Sequence, residues 1–155
     1  MDIQLSENFK LSEFTRSSTA SARGIDNTPT LDVVSNLQQL CIHVLEPLRA
    51  FANQSSPLGG DKRGVVISSG YRSQELNMAV GGARESNHLY GYAADIRIPN
   101  METGKTWFGW MMQNLHFDEL IWERASSTSS TCWIHVAFRQ GKVNRQRVVE
   151  NMIKR

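Results

Sequence analysis

The sequence predicts an α+β domain in which helices pack on a central, mostly antiparallel sheet. Three observations carry this. One long early stretch repeats its apolar residues every three or four positions. Several short runs in the middle and second half alternate or cluster β-branched residues. Helical patterns come early and late, without the regular strand–helix–strand alternation of a parallel winding. The 155 residues fit one domain, 1–155, with enough length to enclose a core.

The first element is NTPTLDVVSNLQQLCIHVLEPLRAFANQ. Its Val33, Val34, Leu37, Leu40, Cys41, Val44, Leu45 and Leu48 share the face of an amphipathic helix. Thr30 is placed to cap its start, and Pro47 is expected to kink or loosen its last turn. His43 falls between the apolar positions and reads as a partly exposed structural residue. SSPLGGDKRG has the composition of a loop. VVISSGYR is a short strand, Val65 to Ile67, entering a polar turn. SQELNMAV is a short helix closed by Gly81 and Gly82. AADIRI reads as a strand, TWFGWMMQNL as a helix, and FDELIWE and CWIHVAF as strands. NRQRVVENMIKR reads as a C-terminal helix whose Arg145, Arg147, Lys154 and Arg155 form a solvated face.

Composition excludes several functions. Apolar residues make up 40% and charged residues 21%, as in an ordinary globular chain, and a net charge of +2 is too small to argue for nucleic acid. No run approaches the ~18 apolar residues of a membrane span, so no membrane insertion is expected. MDIQLSENFK lacks the order of a signal peptide, which predicts synthesis in the cytoplasm. The two cysteines, Cys41 and Cys132, cannot form a four-thiolate site and are expected to be buried and reduced.

The chemistry gathers in ARESNHLYGYAADIRIP and CWIHVAF. A period of two puts Ile134, Val136 and Phe138 on one face, with Trp133, His135 and Ala137 on the other. In AADIRI, Ala94, Ile96 and Ile98 oppose Ala93, Asp95 and Arg97. If the aliphatic faces form the core, Asp95 and His135 emerge together on the opposite face, and a bend at Gly91 can bring His88 to them. Two imidazoles and a carboxylate around one point can hold zinc with a coordination position left open. The alternative is an Asp95–His135 hydrogen bond across the sheet, with His88 merely exposed.

SNHLYGYAADI, the later WIH and the upstream SSGYRS resemble the zinc D-Ala-D-Ala carboxypeptidase and peptidoglycan endopeptidase family, whose fold is shared with the Hedgehog signalling domain. LSENFKLSEFTRS, GIDNTP, LEPLRA, LNMAVGG and FDELIWE extend the likeness along nearly the whole chain. The resemblance implies a single zinc peptidase domain, with one Zn2+ per chain held by His88, Asp95 and His135. It makes Arg72 the residue that holds or polarises the substrate carbonyl or carboxylate, a task suited to a forked guanidinium. Ser86 would steady the loop or the substrate, and Gly91 would serve backbone shape. Gly81 and Gly82 are expected to cap a helix rather than touch substrate.

The general base departs from the family pattern. Cys132 stands where many members have glutamate, and Trp133 where others have histidine. FDELIWE supplies Asp118, Glu119 and Glu123 instead; Glu123 is the expected base and Glu119 the next choice. Trp133 is expected to border the cleft, Trp107 and Trp110 to pack, and His116 to lie exposed.

The implied function is a zinc metallopeptidase hydrolysing peptidoglycan stem peptides or cross-links, as a D,D-carboxypeptidase or an endopeptidase. Small size fits a monomeric phage lysis enzyme, an endolysin that meets the cell wall after release. A non-catalytic, zinc-stabilised binding domain and a zinc amidase are the alternatives.

Overall fold

The computed structural model describes residues 2–54 and 64–154. Two short helices, α1 (Ser12–Thr15) and α2 (Ser18–Arg23), precede the long helical stretch. That stretch is α3 (Leu31–Leu40), a π turn over Cys41–Leu45, and α4 (Glu46–Gln54). The Thr30 side chain accepts from the Val33 amide at 3.3 Å, so the helix starts at its expected cap. The loosening attributed to Pro47 lies before the proline rather than in the last turn. Pro47 has no N–H to offer the preceding turn, and the chain widens there, with the Glu46 amide donating to the Cys41 carbonyl.

The remaining elements are β1 (Ile67–Ser69), α5 (Gln74–Ala79), β2 (Ala93–Arg97), α6 (Met101–Asn114), β3 (Glu119–Arg124), β4 (Cys132–Ala137) and β5 (Arg147–Ile153). β1 sits two residues later than its sequence pattern suggests. The strands form one sheet in the order β1-β2-β4-β3-β5. β1–β2, β2–β4 and β3–β4 are antiparallel, while β3–β5 is parallel. The sheet is therefore mixed, with antiparallel pairing predominating.

One face of this sheet is the floor of the core. Ala94, Ile96, Leu120, Trp122, Ile134 and Val136 are buried there in one cluster with Leu37, Leu40, Val44, Leu45 and Leu48 of the long helical stretch. Burial of each large side chain contributes about 1.5–3 kcal/mol. Helix α6 adds Trp107, Phe108 and Met111. Phe108 meets Trp122 edge-on at 5.8 Å, and Trp110 stacks on Phe51 at 4.5 Å. These tryptophans are packing residues, as their helical spacing suggested. His43 is exposed and stacks on Phe138 at 4.6 Å, and His116 is also exposed.

The C-terminal segment corrects the sequence reading. Val148, Val149, Met152 and Ile153 fit a helical spacing, yet they form strand β5. The outer edge of β3 would otherwise leave a row of unpaired backbone groups, and β5 fills it. Its Arg145 and Arg147 are exposed, as expected, but both pair with acidic side chains. Arg145 grips the buried Asp118 carboxylate at 2.9 and 2.8 Å, and Arg147 reaches Glu119 at 3.2 Å. Arg155 and nearly all of the SSPLGGDKRG loop (55–63) lie outside the described residues.

Cys41 is buried, and burial pushes its thiol up to about 12. Cys132 is only half-buried, and both thiols are free. Among the described residues, no helix is long and apolar enough to cross a membrane.

Candidate active site

The non-core face of the sheet carries the site. Asp95 and His135 are direct partners in the β2–β4 ladder. Their side chains therefore rise side by side, and His135 Nδ1 lies 3.1 Å from Asp95 Oδ1. Two residues either way on β3 from the partner of His135 stand Glu119 and Glu123, on the same face.

His88 arrives by a different route. The Ser86 hydroxyl accepts from the His88 amide at 3.2 Å, capping a 3-10 turn over Asn87–Tyr90. Gly91 ends that turn at φ +75°, and a Cβ there would lie 2.8 Å from the Val33 carbonyl oxygen. No side chain can replace its hydrogen without moving α3. The turn is clasped to the segment after β1, because the Arg72 amide donates to the His88 carbonyl at 3.1 Å. The His88 ring is buried, with Nε2 3.3 Å from Asp95 Oδ1. The alternative of an exposed His88 beside a simple His–Asp pair does not hold.

Partners on the far side of each imidazole assign its tautomer. His88 Nδ1–H donates to the Gly70 carbonyl at 2.6 Å, so Nε2 presents its lone pair to the centre. His135 Nε2–H donates to Glu119 Oε1 at 2.8 Å, which turns Nδ1 inward. Glu119 is itself held by Asn87 Nδ2 at 3.0 Å and by Arg147. One donor atom each from His88, Asp95 and His135 lies within 4.8 Å of the other two. Two nitrogens and a carboxylate at that separation suit a zinc ion, and outer partners fixing both rings are what such ligands require.

Charge supports the same use. Burial opposes ionisation of Asp95, but His88 and His135 hold its carboxyl far below the usual range. Burial pushes His88 down. Burial also opposes protonation of His135, yet hydrogen bonds to Asp95 and Glu119 raise it to about 10. The two carboxylates thus call for a cation between them, and without a metal the imidazole supplies it.

The two glutamates differ. Burial works to raise Glu119, but its hydrogen bond to His135 leaves it lowered. Glu123 is raised, first by burial and then by the Asp95 charge. Its Oε1 stands 3.5 Å from His135 Nδ1, on the donor side of the ring. Glu119 lies behind His135 and Glu123 in front of it.

Arg72, Ser86 and Trp133 line the same cleft of about 450 Å³ as the three donors. Arg72 is half-buried, and its Nε is enclosed without a partner among the described residues. Burial lowers its pKa, and Asp95 and Glu123 act in the opposite sense. The indole N–H of Trp133 is likewise enclosed and has no partner among the described residues. Gly81 (φ +72°) and Gly82 cap α5, the latter donating to the Asn77 carbonyl at 2.8 Å. Gly82 also leaves room for the guanidinium, since a Cβ there would lie 2.9 Å from Arg72 Nη1.

Sequence reasoning missed the Gly70 carbonyl, Asn87 and Arg147. A carbonyl partner leaves no trace in side-chain identity, and Arg147 reaches the site only because β5 is a strand. Gly70 has a direct test. A Cβ there would lie 2.7 Å from the Phe14 backbone. Gly70→Ala is expected to cost at least about 1–3 kcal/mol in a denaturant melt, as overpacking does, and to lower metal occupancy by displacing the His88 acceptor. An unchanged melt and full occupancy would show that the contact yields freely.

A model of the peptidase M15 family matches residues 7–137. A stretch of 37 residues is 49% identical to the zinc D-Ala-D-Ala carboxypeptidase of Streptomyces albus G. That match covers 24% of this chain and 14% of that protein.

Proposed function

The chain belongs to the peptidase M15 family, and from that premise we propose that it is a zinc peptidase hydrolysing peptide bonds in peptidoglycan stem peptides or cross-links. The observation that carries the reading is the convergence of His88, Asp95 and His135 on one point, with Glu123 beside it and Arg72 in the same cleft.

In this reading His88 Nε2, an Asp95 oxygen and His135 Nδ1 would hold the ion. A zinc ion bound there would supply Lewis acidity, the chemistry that makes water reactive near neutral pH. The Glu123 carboxylate takes the proton of the attacking water and returns it to the leaving amine nitrogen. Arg72 donates to the carbonyl oxygen as negative charge develops there. Its unpartnered Nε suits a group that completes its hydrogen bonds only on a substrate. Glu119 keeps the His135 ring oriented, and Ser86 and Trp133 border the peptide. Cutting such bonds weakens the wall, which is the chemistry a phage lysis enzyme needs.

Digestion of purified sacculi and defined muropeptides by the zinc-loaded protein, followed by mass analysis, tests this. New amine and carboxyl ends within the peptide support it. Cleavage between sugar and peptide would make the protein an amidase. Zinc binding with no hydrolysis of any muropeptide would favour a binding domain.

Arg72 gives a sharper expectation. Arg72→Ala is expected to lose about 3 kcal/mol of transition-state stabilisation in kcat/KM, the scale of one lost oxyanion donor. Arg72→Lys keeps the charge but loses the fork, so it is expected to be impaired less, yet clearly. Zinc content stays at the wild-type level in both. Unchanged kcat/KM with a normal melt would remove Arg72 from the chemistry, and a lowered melt would recast it as structural.

A further inference from the structure

The two imidazoles of the centre are joined through one residue. Asn87 opens the turn that carries His88, and its Nδ2 donates to Asp118 Oδ2 at 3.2 Å and to Glu119 Oε1 at 3.0 Å. A side-chain amide nitrogen carries two hydrogens, so one nitrogen serves both carboxylates. Glu119 accepts in turn from His135. Asp118 is fully buried and takes no part in the proposed hydrolysis. Burial works against its charge, and the bonds from Arg145 leave its carboxyl lowered.

Asp118 is fixed from the C-terminal end of the chain. The Arg145 amide and Nε reach its Oδ1 at 3.2 and 2.9 Å, and Nη2 reaches Oδ2 at 2.8 Å. The next residue, Gln146, stands at φ +53°, a conformation uncommon for a residue with a Cβ. Three hydrogen bonds to the segment before β3 hold it there. Its amide donates to the Phe117 carbonyl at 3.0 Å, its Oε1 accepts from the Phe117 amide at 3.1 Å, and its Nε2 donates to the Leu115 carbonyl at 2.8 Å. Strain of this kind persists only where the surroundings over-determine the backbone. Arg145 and Arg147 flank Gln146, one on Asp118 and the other on Glu119. Both follow residue 137, where the family match ends.

We propose that Asp118 and Arg145 are positioning residues for the metal centre, fixing the His88 turn and the Glu119–His135 pair against each other through Asn87. Asp118 gives Asn87 a fixed acceptor. Arg145 keeps that acceptor in place and offsets its charge beside Glu119, whose Oε2 lies 3.6 Å from Arg145 Nη2. The two imidazoles are thereby set before an ion arrives, and preorganised ligands bind more tightly. This rests on the ligand set proposed above and is independent of which bond is cut.

Zinc affinity of the full chain, measured by competition with a chelating dye, tests it. Arg145→Ala is expected to weaken zinc about tenfold, the lower end of the loss from an outer partner. Arg145→Lys keeps the charge without the fork and is expected to recover part of that loss. Asn87→Ala is expected to cost about tenfold as well. The double variant should lose far less than the product, about a hundredfold, because both changes break one chain of contacts. Phe51→Ala removes the stack on Trp110 on the other face of the sheet, so it should lower the melt and leave zinc affinity unchanged. In nitrogen NMR of the zinc-free protein, Arg145→Ala should move the imidazole signals of both His88 and His135. Losses that multiply in the double variant would make Arg145 an independent contributor and overturn the proposal. So would a shift confined to His135, or an equal loss of affinity in Phe51→Ala. A wild-type chain that binds no zinc overturns the ligand set, and this inference with it.

Discussion

Replacing His135 or His88 by alanine is expected to empty the centre of zinc. The wild-type chain should carry one zinc ion in elemental analysis after gel filtration, and each variant close to none. The loss should exceed the ~10- to 100-fold weakening caused by removing an outer partner, because a direct ligand goes. Stability gives an independent readout. A ligand that binds only the folded state raises its stability by mass action, so added zinc should raise the wild-type Tm and leave the variants' Tm unmoved. His135→Ala carries a second cost, since Asp95 then keeps only His88 and Glu119 loses the donor at 2.8 Å. Stoichiometric zinc in both variants would falsify this ligand set.

Glu123→Gln and Glu119→Gln form a pair whose outcomes should diverge. Glutamine at 123 is nearly isosteric and cannot take a proton. That variant should keep zinc and its melt while losing about 10²-fold or more in kcat. Glutamine at 119 can still offer its amide oxygen to His135 Nε2–H, but without the charge paired to Arg147. It should bind zinc about 10- to 100-fold more weakly and recover most of its turnover when zinc is in excess. If Glu119→Gln stayed inactive at saturating zinc while Glu123→Gln turned over normally, the two assignments would exchange.

Much of this arrangement was legible before any fold was known. The alternation in AADIRI and CWIHVAF assigns the core to Ile96, Ile134 and Val136, and the opposite face to Asp95 and His135. The ladder then makes those two residues direct partners. Local periodicity suffices there because one buried face fixes the register of both strands. The same alternation puts Glu119 and Glu123 on one face and is silent on their order around His135. That order depends on Asn87 and Arg147, contributed by distant segments. VVENMI was misjudged for a related reason. Its apolar positions satisfy either period, and the deciding fact, an open edge on β3, lies more than twenty residues upstream. The π turn was half visible, since Pro47 announces a disturbance without fixing which side absorbs it.

The parallel pairing of β5 with β3 also sets a timetable for synthesis. Arg147 leaves the ribosome well after His88, an interval of about 3–12 s at ordinary rates of elongation. Until then the nascent chain holds Glu119 without its arginine and β3 without its outer neighbour. An unpaired strand edge invites pairing with other chains, so this interval is when the protein is most exposed to aggregation. The Glu119–Arg147 pair, too, closes only with the last strand of the sheet.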